Sequence, residues 1–141
     1  MKLSIALISI ILFLGCTEKQ PSNTMLGTWK LVYAETFEND SLKIKDLTKT
    51  EFIKIISNSH FAFFNQQKES SENFYSGAGT YTLSGENYIE TLSYTSVSNI
   101  KNHVFPFKIK FKEDTLIQSG IEEVKDANIH RKIIEKYIKI N

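Results

Sequence analysis

The chain has 141 residues, 17 basic and 16 acidic side chains, three histidines and one cysteine. With this near-neutral balance, no net charge draws the chain to nucleic acid. A lone cysteine excludes an internal disulfide and any cysteine-rich metal site.

Met1 and Lys2 are followed by an apolar run over residues 3–14 that ends in Gly15 and Cys16. A run of this length matches a signal-peptide core and is too short to span a bilayer as a helix. With the small Gly15 ahead of the cysteine, the segment resembles the lipobox of bacterial lipoproteins, Phe13 standing where leucine is usual. The resemblance implies cleavage after residue 15 and a thioether from Cys16 to diacylglycerol. An ordinary secretory signal with an incidental cysteine is the alternative, and either takes the protein out of the cytoplasm. Multiple acyl chains would anchor Cys16 stably, so the membrane partner is met through lipid. Thr17, rather than the aspartate associated with inner-membrane retention, favours an outer-membrane lipoprotein of the cell envelope.

Removing residues 1–15 deletes Lys2 and no acidic residue, leaving 16 charges of each sign. Residues 16–24 are polar and interrupted by Pro21, and read as a lipidated tether. One domain is expected over 25–141, since about 120 residues bury a moderate core without staples.

That domain is rich in aromatic and β-branched residues, punctuated by Gly, Asn, Asp and Ser about every ten positions. Strands are predicted near 26–35, 51–56, 59–66, 75–83, 87–96, 103–112, 114–120 and 130–140. Phe105, Phe107, Ile109 and Phe111 alternate with Lys108, Lys110 and Lys112, one face apolar and one solvated. The fold class is therefore all-β, an antiparallel up-and-down barrel of about eight strands whose closure removes both edges. Two segments are ambiguous. Residues 42–49 could hold a short helix covering an open end, and from Ala127 onward Ile129, Ile133, Tyr137 and Ile140 also fit a helical face, although strand is preferred for the second half.

The opening Leu26-Gly27-Thr28-Trp29-Lys30-Leu31-Val32 resembles the Gly-x-Trp start of lipocalins and, more closely, that of bacterial lipocalin-like lipoproteins. A second block, Ser76-Gly77-Ala78-Gly79-Thr80-Tyr81 with Tyr88-Ile89-Glu90-Thr91, is similar to the Gly-rich strand and Tyr-x-Glu strand of the same proteins. The resemblance implies that Gly27 bends the chain at the barrel base, that Trp29 plugs it, and that Lys139 stacks on Trp29. Those three are structural. Tyr137 stands where the related sequences carry Trp.

Ten phenylalanines and six tyrosines could either fill such a barrel or line a cavity in it. Alternation selects Phe61, Phe63, Tyr81, Tyr88, Glu90, Leu92, Tyr94, Phe105, Phe107 and Phe111 as interior candidates, with Tyr81, Tyr88, Glu90, Leu92, Tyr94, Phe105 and Phe107 as the ligand-binding set. A slip of one residue would turn any strand's set outward. A carboxylate and two phenols among apolar walls suit a small lipophilic or amphipathic molecule. The competing expectation is an interaction or structural lipoprotein with a solidly packed barrel. A third is an enzyme using Glu90 with a Tyr or His as acid and base. His60, His103 and His130 lack the spacing of a metal pair, so no metal, cofactor or catalytic residue is expected.

Overall fold

The computed structural model describes residues 25–140; the segments read as signal peptide and tether, Cys16 included, lie outside the described residues. Nine strands follow in order: β1 (Gly27–Glu38), β2 (Ser41–Ile44), β3 (Thr50–Ile56), β4 (His60–Gln67), β5 (Tyr75–Ser84), β6 (Asn87–Thr95), β7 (His103–Lys112), β8 (Thr115–Val124) and β9 (Ile129–Lys139). From β3 to β9 each strand pairs antiparallel with its sequence neighbour, and β1 pairs with both β3 and β9. The result is a closed eight-stranded up-and-down barrel, with β2 attached to β1 as an extra strand.

The alternating β7 sequence buries Phe105, Phe107 and Ile109 and leaves Val104, Lys108 and Lys110 outside. One end of the barrel is closed. Gly27, at φ 138, takes a backbone conformation open to glycine and strained for other residues, and brings Trp29 into the interior. The Trp29 indole N–H donates to the Met25 carbonyl at 2.8 Å. Trp29 is the register partner of Lys139, whose Nζ lies 5.6 Å from the indole ring centroid. A cation over the indole face at the closure seam adds electrostatic attraction to ladder pairing.

The structure corrects the readings of residues 42–49 and of Tyr94, and resolves the ambiguity after Ala127 in favour of the preferred strand. Residues 42–49 do not form a helix: Asn39 and Asp40, both at positive φ, make a tight turn into β2, and the chain then continues without regular structure to Lys49. Two successive positive φ values suit a two-residue hairpin, and Asn and Asp tolerate them better than most residues. The segment does reach the open end, where Leu47 packs against the core and Lys68 donates to the Leu47 and Thr48 carbonyls. The ambiguous C-terminal segment is strand throughout β9, because its inward residues meet β8 and β1 on either side.

Tyr94 is not interior but 72% exposed. A bulge shifts the β5–β6 register between Ala78 and Gly79, so that Gly79 pairs with Leu92 and Ala78 with Tyr94, resetting the alternation. Phe111 lies at the barrel base, partly exposed, its ring 6.1 Å from that of Trp29.

The bulge depends on Gly79, where an added Cβ would stand 1.8 Å from the Thr91 carbonyl oxygen. Because that contact is with backbone, no rotamer change can relieve it. Gly79→Ala is expected to lower stability by about 3 kcal/mol, read from the urea midpoint of the mature chain; an unchanged midpoint would show that the bulge tolerates a side chain.

Candidate functional site

Above its closed base the barrel is hollow, with a cavity of about 420 Å³. Glycines help to keep it open. Phe63 on β4 faces Gly77 on β5, and Phe107 on β7 faces Gly120 on β8. A Cβ at Gly77 would come within 2.5 Å of the Phe63 ring, and one at Gly120 within 2.8 Å of the Phe107 ring. The rings therefore lie against neighbouring backbone where a larger residue would push them toward the axis. Phe52 and Phe63 stack with centroids 5.4 Å apart, and Phe105 and Phe107 stack at 6.0 Å. These four rings and Leu92 form the apolar wall.

The polar part of the wall is assembled from distant strands. Lys54 on β3, only 2% exposed, is paired with Glu90 on β6 and donates to Gln118 Oε1 on β8 at 2.8 Å. Its ammonium also lies 5.2 to 5.9 Å from the ring centroids of Phe61, Tyr88 and Tyr137. A buried ammonium is tolerable only with such partners, since desolvating it unpaired costs several kcal/mol.

Glu135 on β9 accepts a hydrogen bond from the Tyr137 hydroxyl at 2.6 Å. Its carboxyl faces the cavity, so it keeps some accessible surface although the barrel encloses it. Burial pushes its pKa up, more than Lys54 and the Tyr137 hydrogen bond pull it down. Burial raises the Tyr137 phenol as well, with the Glu135 charge and hydrogen bond adding to the effect. The Tyr88 hydroxyl, deeply buried, has its pKa raised by that burial and then by nearby Glu90.

At the open end Arg131 on β9 pairs with Glu122 on β8 at 2.5 Å. Burial works against the guanidinium charge, but Glu122 and the more distant Glu38 and Tyr75 outweigh it and hold the pKa above its usual value. Lys45, in the segment after β2, sits with Nζ 5.7 Å from the Tyr75 ring centroid. Burial lowers its pKa, offset in part by Glu135.

Of the residues selected from sequence as ligand-binding, Glu90, Leu92, Phe105 and Phe107 border this cavity. Tyr88 faces inward but lies fully buried in the core. Tyr81 packs near the base, its hydroxyl donating to the Ser57 carbonyl at 2.7 Å. Tyr94 points away, for the reason given above. Sequence reasoning missed Lys54, Gln118, Arg131 and Glu135, because a charged or amide side chain within a strand reads as the solvent face. The available signal was the alternation Phe52, Lys54, Ile56, which places the lysine on the apolar side.

None of the three histidines borders the cavity, and among the described residues no group of three or more His, Cys, Asp and Glu is placed to hold a metal ion. No protein-family model and no curated protein matches this chain. The site is therefore read from its own chemistry.

Lys54→Met would strand the Glu90 carboxylate in the interior and is expected to cost about 3 to 5 kcal/mol. Adding Glu90→Leu should recover most of that loss, measured by chemical denaturation of the two single variants and the double. Additive losses would mean that the two side chains do not act as a pair.

Proposed function

We propose that this protein is a membrane-anchored lipoprotein whose barrel holds one small lipophilic or amphipathic molecule. The observation that carries this reading is the cavity of about 420 Å³, apolar over four phenylalanines and Leu92, with a few placed polar groups on the same wall. Ligand sites have this size and this mix of surface. A barrel serving only as a scaffold would be expected to fill that volume with side chains, as small barrels commonly do. The packed-barrel alternative is correspondingly less well supported.

In this reading, lipid on Cys16 ties the domain to the cell envelope, at the outer membrane, and the tether spaces the barrel from the bilayer. The open end admits the ligand between Tyr75, Val97, Ile100, Ile129 and Arg131. Binding rather than catalysis through Glu90 is favoured because that carboxylate is held by the Lys54 ammonium, which Gln118 also engages, while Arg131 is paired with Glu122.

The test is titration of the mature chain with N-phenyl-1-naphthylamine, a neutral apolar dye that fluoresces on leaving water. Saturation near one dye per chain is expected, competed by long-chain amphiphiles. Ile129→Trp, which narrows the mouth, should weaken binding by about tenfold or more, equivalent to roughly 1.4 kcal/mol, without unfolding the barrel. A folded chain that takes up no dye would return the packed-barrel reading.

A further inference from the structure

We propose that the molecule held in this cavity is an organic cation, with an ammonium group against Glu135 and an apolar body against the ring wall. The proposal rests on the binding reading above and narrows its ligand class. Among the described residues, the charged side chains bordering the cavity are Lys54, Arg131, Glu90, Glu122 and Glu135. Lys54 is matched by Glu90 and Arg131 by Glu122. Glu135 is the carboxylate left over: it has the Tyr137 hydroxyl as a hydrogen-bond donor and, among the described residues, no ion-pair partner within 4.0 Å.

Neighbouring cations do not fill that role. Lys54 attracts Glu135 from a distance while bound to Glu90 and Gln118. Lys45 feels the Glu135 charge, but it stands over Tyr75 and is opposed by Arg131. A carboxylate enclosed without a counter-charge is unfavourable, and a ligand ammonium would supply what is missing. A ligand carboxylate would meet Glu135 as a like charge, and a neutral head would leave it unmatched.

The rings favour the same ligand. Aromatic faces attract cations, most strongly when water is excluded. Lys54, beside three rings, and Lys45, over Tyr75, already make such contacts here.

Three indoles with the same ring and different heads separate the possibilities: tryptamine, neutral tryptophol and indole-3-propionate. Each competes against N-phenyl-1-naphthylamine on the mature chain and on Glu135→Gln, which keeps an acceptor for Tyr137 and removes the charge. Tryptamine is expected to compete about tenfold better than either of the others, a difference of roughly 1.4 kcal/mol. In Glu135→Gln, shown to be folded by its urea midpoint, that preference should vanish. Equal competition by the three indoles, preference for the acid, no competition by any of them, or a preference surviving in Glu135→Gln would overturn the cation proposal while leaving the cavity reading intact. A folded chain binding neither dye nor indole would overturn both.

Discussion

An ammonium group carried into the interior of a closed barrel has to be met by acceptors from other strands, and this requirement organises the middle of the molecule. Lys54 reaches Glu90, 36 residues along the chain, and Gln118, 64 residues along. For the three side chains to converge, β3, β6 and β8 must all hold the register that turns these residues inward. A slip of one residue in any of the strands would put a polar group on the outer wall and strip Lys54 of a partner. The cluster therefore acts as a registry device as well as part of the cavity wall.

The same region explains why the barrel is hollow. Below the cluster, Trp29, Leu31, Ile56, Phe61, Tyr88 and Leu116 are buried and fill the closed end. Above it, two of the inward positions are glycines that leave room for Phe63 and Phe107 to lie back against the wall. Large rings opposite residues without side chains cover backbone while leaving the axis open. The segment that follows β2 then borders the open end, with Leu47 packed against the core and Lys45 over Tyr75. One end is thus sealed by a tryptophan and its stacked lysine, and the other is bordered by groups able to contact a guest.

Much of the fold was legible because inward and outward residues alternate plainly along β4, β6 and β7, and because Gly, Asn and Asp mark the turns between strands. The extra strand β2 was not. Its turn uses Asn39-Asp40 without a glycine, and all four of its residues are exposed, so no buried face announces it. Tyr94 was misplaced because a bulge changes the alternation, and Gly79 reveals the bulge only once Thr91 is seen facing it. The polar half of the site was hidden for a related reason. Lys54, Gln118 and Glu135 are ordinary solvent-facing residue types, and their place inside depends on partners from strands far away in sequence. Glu90 was visible because it shares one face with Tyr88 and Leu92.

The hollow barrel as a ligand site is tested most directly by following the backbone amides of the mature, isotope-labelled chain by NMR as N-phenyl-1-naphthylamine is added. Occupation of the cavity would move the signals of Leu92, Phe105, Phe107 and Tyr137 together, with saturation at one equivalent. Shifts confined to outer-wall positions such as Val104, Ile121 and Tyr94, with those four unmoved, would contradict it and mark the dye as a surface binder.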